Sequence, residues 1–279
     1  NLAIRGIAAN IGDSADSTFT NDLHPDLKAD YALMNPPFNQ KAWRETNELL
    51  EDGRWKGYEV PPASNANYAW ILNMVSKLSQ NGVGALLLAN GALGADGVEQ
   101  KIRKQLIEND LVEAIIILPR NMFYSTDISV TIWIFNKNKH SRIIEKNGEK
   151  RELRDRTNEI LFIDYRQKGN INDEKYVEIN KEDRKKLVTI YHSWQSTDKD
   201  KIYKDIPEIC YSATKEEIAN KDYILTPSKY IEFIDHDLEI DYKKEMTRIQ
   251  KEMKDIIAKE KTSQKMLIDA FGGIGYDIE

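Results

Sequence analysis

Four short, almost unbroken apolar runs divide the first half of this 279-residue chain, and they restrict it to one class of fold. The runs are residues 30–34 (DYALM), 83–89 (VGALLLA), 111–118 (LVEAIIIL) and 129–136 (SVTIWIFN). Helical patterns over residues 41–50, 68–79 and 98–108 lie between the first three. Near-continuous apolar strands alternating with amphipathic helices predict a parallel sheet covered on both faces. The third and fourth runs are joined by residues 119–128, which carry no helical pattern, so an antiparallel pair at the sheet edge is expected. The fold class is therefore α/β, a partial doubly wound mixed sheet, with its ligand crevice beyond the carboxyl ends of the strands.

Past this core the sequence turns polar. Residues 137–156 hold eight basic side chains (Lys137, Lys139, Arg142, Lys146, Lys150, Arg151, Arg154, Arg156) against four acidic ones (Glu145, Glu149, Glu152, Asp155). Two readings stand: a solvated loop or hairpin, or a loop that contacts phosphates. A further strand is expected over residues 159–165 and a helix over 181–194. From about Leu238 the chain reads as a helical extension, with Tyr242, Met246, Ile249, Met253 and Ile256 at alternating spacings of four and three. That stripe suits packing on a partner helix or on the chain's own domain. Gly272, Gly273 and Gly275 are expected to stop the helix.

Composition narrows the possible partners. A net charge of −6 gives the surface as a whole no affinity for a phosphate backbone, so a chain like this that acts on nucleic acid needs help to hold it. The single cysteine, Cys210, allows no internal disulfide and fits a reducing, cytoplasmic setting. No apolar run approaches the ~20 residues that a membrane span needs. The start, with Leu2, Ile4, Ile7 and Ala8, reads as the end of an amphipathic helix cut mid-element rather than as a signal peptide. His24, His140, His192 and His236 are scattered without ligand spacing, so no metal is expected.

The chemistry concentrates in Asn35-Pro36-Pro37-Phe38, at the carboxyl end of the first strand. Two prolines fix φ twice and offer no donor, so the Asn35 side chain and the neighbouring carbonyls are held outward as acceptors. An exocyclic amine such as adenine N6 brings two N–H donors. Accepting both frees the nitrogen lone pair for an electrophile. Phe38 offers a flat face on which a flipped base can stack. The alternative is a plain turn after a strand.

These residues resemble those of the methylation (M) subunit of type I restriction-modification enzymes, within the class of amino-methyltransferases that carry Asn/Asp-Pro-Pro-Phe/Tyr. The resemblance extends over nearly the whole chain. It runs through NLAIRGI, DLHPDLKADYALMNPPFN, NGVGALLLANGALGADGVEQKIRKQLIEND, LVEAIIILPRNMFYSTDISVTIWIFNKNK and YILTPSKYIEF. It implies the fold of S-adenosylmethionine-dependent methyltransferases, with Asn35, Pro36, Pro37 and Phe38 as the catalytic motif for adenine N6 and S-adenosyl-L-methionine as the donor. An upstream acid, Asp16 or Asp22, would contact the donor's adenine, with Asp16 better placed beside Ser17-Thr18-Phe19. Phe123, Tyr124 and Thr126 would line the target-base pocket. The implied partners are DNA, a specificity (S) subunit and a restriction (R) subunit, with no membrane.

The resemblance also implies a division into a catalytic domain over residues 1–165 lacking its amino-terminal cofactor-binding part, a smaller α/β extension over 166–236, and a helix over 237–279 for subunit contact. The family's glycine-rich cofactor loop is absent from these residues. Gly91, Gly94 and Gly97 follow the wrong strand to replace it and read as a mobile loop near the site. This chain alone is therefore expected to bind the donor poorly. Cytosine-carbon methylation is disfavoured, because Cys210 lies outside any Pro-Cys pattern. Two other functions stay open: a non-catalytic module that holds the specificity subunit, and a methyltransferase acting on a protein glutamine amide.

Overall fold

The computed structural model describes residues 3–9, 17–123, 127–146, 148–172, 176–198, 200, 202–234 and 241–276. The chain divides into two units, Asn1–Phe233 and Ile234–Glu279.

The first unit is built on a six-stranded mixed sheet. Its strands are β1 (Ala29–Met34), β2 (Leu78–Ala89), β3 (Val112–Ile117), β4 (Val130–Asn136), β7 (Glu159–Asp164) and β10 (Cys210–Thr214), in the spatial order β1-β2-β4-β3-β7-β10. The pairs β1–β2 and β3–β7 are parallel, whereas β4 and β10 run against their neighbours. The mixed α/β sheet is as expected, but the position of β4 corrects the sequence reading. It is antiparallel to β3 yet sits inside the sheet, with β2 on its other side from Val83↔Asn136 to Ala89↔Val130. The cause lies in its composition: Trp133 and Phe135 are fully buried on one face and Ile132 and Ile134 partly buried on the other, which suits a strand flanked on both sides.

Period-two alternation assigns side chains to two separate cores. On one face Leu86, Leu88, Ile115, Trp133, Phe135 and Phe162 pack with helices α1 (Asn67–Ser76) and α2 (Val98–Glu108). On the other, Ala114, Ile116, Leu161 and Ile163 pack with Trp194, Leu187 and Ile190 of α3 (Lys181–Gln195). This second layer extends to Val130, Ile132 and Ile134 of β4 and Leu87 of β2 but does not include β1. Over β1, Tyr31 is 69% and Leu33 87% exposed.

The helix expected over residues 41–50 is absent. Ala42 and Leu49 take positive φ values of 48° and 57°, which no helix tolerates. Arg44 draws the segment into a coil instead, donating to the carbonyls of Glu45, Thr46, Glu48 and Pro61.

The basic stretch 137–156 resolves into internal and external parts. Residues Arg142–Lys146 (β5) and Glu149–Leu153 (β6) form a two-stranded hairpin, as one reading held. Three of the flanking cations face inward. Lys139 Nζ bonds Asp110 Oδ1 at 2.5 Å together with the carbonyls of Val112 and Glu159. Arg154 forks onto Glu159. Arg156 pairs with Glu113, and both side chains are wholly buried. Glu113 is fully satisfied there, because Asn136, Tyr191 and Gln195 also donate to its oxygens.

Beyond β7 come a short hairpin, β8 (Asn170–Asn172) and β9 (Tyr176–Glu178), then α3, β10 and α4 (Lys215–Ala219). Strand β10 returns to the sheet beside β7, so residues on both sides of position 165 share one sheet.

The second unit is α5 (Tyr242–Gly273), 32 residues long. The Asp241 side chain caps it by accepting from the amides of Lys243 and Lys244. Of the three glycines expected to stop it, Gly275 does so. Its φ of 86° lets Gly275 N reach Gly272 O and Tyr276 N reach Phe271 O, which is a Schellman close, whereas Gly272 and Gly273 lie within the helix. No described helix is long and apolar enough to cross a membrane.

Candidate active site

Strand β1 ends at Met34, and Asn35-Pro36-Pro37-Phe38 follows directly at its carboxyl end. Pro36 is buried, while Asn35 and Pro37 are exposed and Phe38 is half-buried. The motif is thus anchored by one proline and presents its amide outward. Asn35 lines an apolar recess of about 440 Å³ together with Leu33, Met34, Leu87, Leu118 and Ile132. Among the described residues no carboxylate borders that recess.

Phe38 meets Phe123 edge-on, with centroids 5.8 Å apart and planes at 65°. The two rings come from the ends of different strands, β1 and β3. Two of the aromatic residues singled out in the sequence are therefore brought together where a flat base could be held. Tyr124 and Thr126 lie outside the described residues.

What fixes the motif in place was not anticipated. Asn39, the next residue, sits in the left-handed region at φ 51°. Asn67, at the start of α1 and 2% exposed, clasps it from both sides. Asn67 Nδ2 donates to Asn39 Oδ1 at 2.9 Å, and Asn39 N donates to Asn67 Oδ1 at 3.1 Å. The neighbouring Ala66 N bonds Gln40 O at 2.9 Å. The sequence signal was there in Asn65-Ala66-Asn67, polar residues at the head of an apolar helix, but it reads equally as ordinary helix capping.

Residues 90–97, expected to form a mobile loop, are instead pinned beside the site. They begin with a 3₁₀ turn, Asn90–Leu93, in which Ala92 and Leu93 are buried. Thr131 Oγ1 donates to Asn90 Oδ1 at 2.6 Å, and Tyr68 OH to Ala92 O at 2.7 Å. Arg103, wholly buried, donates to Ala95 O and Tyr223 O. Burial and the Arg103 charge act in opposite senses on the Tyr68 hydroxyl; burial prevails and pushes its pKa up to about 12, so it remains a donor.

The two acids proposed for the donor's adenine fare differently. Asp16 lies outside the described residues. Asp22 stands at the amino end of β1, away from Asn35 by the length of the strand, about 20 Å for six residues. There it is bound to Lys77, with Nζ 2.7 Å from Oδ2, and accepts from the amide of His24. Burial opposes ionisation of Asp22, but Lys77 and the His24 amide outweigh it and hold the carboxyl below its ordinary pKa. Among the described residues no cluster of three or more His, Cys, Asp or Glu side chains is gathered that could hold a metal ion. Cys210 is buried, and that burial pushes its thiol pKa up.

Residues 1–238 match the N-6 DNA Methylase family. The chain is 36% identical over 279 residues to the type I restriction enzyme HindI methylase subunit of Haemophilus influenzae, covering 99% of this chain and 58% of that protein. It is 33% identical to the type I restriction enzyme MjaIX methylase subunit of Methanocaldococcus jannaschii, covering 98% of this chain and 47% of the relative. It therefore spans about half the length of these relatives. Among solved structures, the type I restriction-modification system methyltransferase subunit from Streptococcus thermophilus superposes with a TM-score of 0.64 at 27% identity, covering 77% of this chain and 41% of that one. The EcoKI M protein, at 15% identity, shares the fold with a TM-score of 0.54 over 79% of this chain and 47% of its own.

Proposed function

The chain belongs to the N-6 DNA Methylase family, and on that premise we propose that it is the part of an adenine-N6 DNA methyltransferase subunit that presents the target amine for methyl transfer. One observation carries this reading: Asn35-Pro36-Pro37-Phe38 closes β1 above an apolar recess, with Phe38 set against Phe123.

In this reading the Asn35 side-chain oxygen and the Pro36 carbonyl each accept a hydrogen bond from one of the two N6–H groups of an extruded adenine. Removing the lone pair from ring conjugation makes the nitrogen nucleophilic without a covalent enzyme intermediate. Phe38 offers the base a stacking face, and Phe123, edge-on against Phe38, backs it and helps exclude water. The methyl group would come from S-adenosyl-L-methionine. The described residues alone do not build a cradle for that donor, since the recess beside Asn35 holds no carboxylate and Asp22 is engaged by Lys77. We therefore assign these residues to the target amine and no step to the donor.

DNA is the proposed substrate, read with a separate specificity subunit, and a restriction subunit completes the complex. The net charge of −6 favours such help. The apolar stripe of α5 (Tyr242, Met246, Ile249, Met253, Ile256) is the proposed docking element for the specificity subunit, and it supports the assembly-module reading as a second function. The test is methyl transfer by the methylase subunit, with and without its specificity subunit, to duplex DNA and to a glutamine-containing peptide. Labelled N6-methyladenine in the DNA supports the reading. Label only in the peptide, or in neither substrate, rejects it.

A further inference from the structure

A second cavity, of about 570 Å³, lies at the edge of the sheet opposite Asn35. Its position follows from the topology. Lys28 precedes β1, and Lys77 caps the carboxyl end of α1. Lys137 leaves β4, which runs backwards so that Asn136 pairs with Val83, itself the partner of Tyr31 in the first half of β1. Arg54 and Lys56 arrive on the turn around Gly53–Trp55.

The charge balance of this cavity departs from that of the protein. Five cationic side chains and two anionic ones line it, in a chain whose net charge is −6. Both acids are already spent: Asp22 is bound to Lys77 at 2.7 Å, and Asp52 to Arg54 at 2.6 Å. The carbonyl end of α1 takes up one more cation, with Lys28 Nζ 2.7 Å from Ser76 O. Among the described residues no carboxylate pairs with Lys28, Lys56 or Lys137. Partial burial and the nearby Lys28 charge lower the pKa of Lys137. A cleft lined by one sign of charge focuses its field and concentrates counter-ions.

We propose that this cavity is a phosphate-binding site, with Lys28, Lys56 and Lys137 as its ligating cations. A phosphate carries the charge that the three ammonium groups lack a partner for, and its oxygens accept from all of them at once. The site is separate from the Asn35 recess and does not rest on the methyl-transfer reading. The phosphate belongs either to a small phosphorylated ligand or to a nucleic-acid backbone passing this side of the protein.

Two titrations test the site and separate these sources. Pyrophosphate is titrated calorimetrically into this chain and into its Lys28→Gln/Lys137→Gln variant, with thermal unfolding of both as the control for folding. A duplex DNA oligonucleotide is then titrated at several salt concentrations. A pyrophosphate affinity at least tenfold weaker in the variant, with an unchanged DNA salt slope, assigns the cavity to a small phosphorylated ligand. A salt slope shallower by about two in the variant assigns it to DNA phosphates. Identical behaviour of the two proteins in both titrations, including no binding in either, overturns the proposal.

Discussion

Asn67 and Asn39 hold one another through two hydrogen bonds, side chain to side chain at 2.9 Å and backbone amide to side chain at 3.1 Å. Asn67 is buried on a rigid helix, whereas Asn39 is in the left-handed region directly after the Asn-Pro-Pro-Phe motif. The clasp therefore transfers the stiffness of α1 to the loop that presents Asn35. Asn67→Ala removes both bonds and leaves the Asn39 amide to find water. In the methylase subunit this should lower kcat by on the order of ten- to a hundredfold, as misplacing a reacting group by about 1 Å does. The stability loss should be only about 1–3 kcal/mol. Asn67→Asp keeps the acceptor for the Asn39 amide but loses the donor, so it should fall between. Equal rates for all three proteins in a single-turnover methylation assay would exclude the clasp from catalysis.

Asn35→Ala should cost on the order of a hundredfold or more in methyl transfer, since an aligned acceptor at the reacting nitrogen is lost. Donor binding should change little, because the proposed role of Asn35 is toward the target amine and not the donor. Phe38→Ala should weaken binding of the target base by about 1–3 kcal/mol. Phe123→Ala should do the same, and the double variant should lose less than the sum, because the two rings touch. Quantitative binding of an oligonucleotide with a mismatched, easily extruded adenine reads these terms.

The buried pair Arg156–Glu113 predicts a large effect on stability. Arg156→Met strands the Glu113 carboxylate in the core and should cost about 3–5 kcal/mol in urea unfolding. Adding Glu113→Leu removes the stranded charge and should recover part of that loss, although Asn136, Tyr191 and Gln195 then lose an acceptor. A double variant less stable than Arg156→Met would show that the polar partners, not the charge, dominate.

Acid stability should follow three carboxylates whose folded pKa values lie below their ordinary values: Asp22, Asp52 and Glu159. Burial opposes ionisation in each, and Lys77, Arg54 and Arg154 respectively outweigh it. A lowered folded pKa contributes stability that is complete above the unfolded value of about 4 and disappears as pH falls through the folded one. The melting temperature should therefore fall steeply below about pH 4, and Asp22→Asn should flatten that fall. Superimposable curves for Asp22→Asn and the parent from pH 6 to pH 2 would remove this salt bridge from the acid response.

The sequence showed the sheet more clearly than its order. Helix α2 begins and ends where the pattern placed it, at Val98 and Glu108, because its apolar positions recur strictly and Gly97 precedes it. The insertion of β4 between β2 and β3 was not legible, since strand order is decided by contacts such as Val83↔Asn136 between residues 53 apart in sequence. The coil at residues 41–50 was misread for a related reason. Its apolar spacing is helical, but Trp43 donates to Pro62 O and Arg44 to Pro61 O, and these remote carbonyls outweigh local propensity. The basic stretch read as surface because its counter-charges, Asp110, Glu113 and Glu159, lie on other elements. In the candidate site, Asn35, Phe38 and Phe123 were singled out from the sequence, whereas Asn67 was not, because its contact with Asn39 exists only once α1 is brought against the loop.

Among the described residues β1 pairs with β2 alone, and its Tyr31 and Leu33 stand exposed on one face of the sheet. Amide protons of Ala32 and Leu33 should exchange with solvent faster than those of Ile115 and Ile116 in β3, which is flanked on both sides. Among the described residues the motif beyond Met34 is stiffened by two prolines with fixed φ and by one asparagine reaching across from α1.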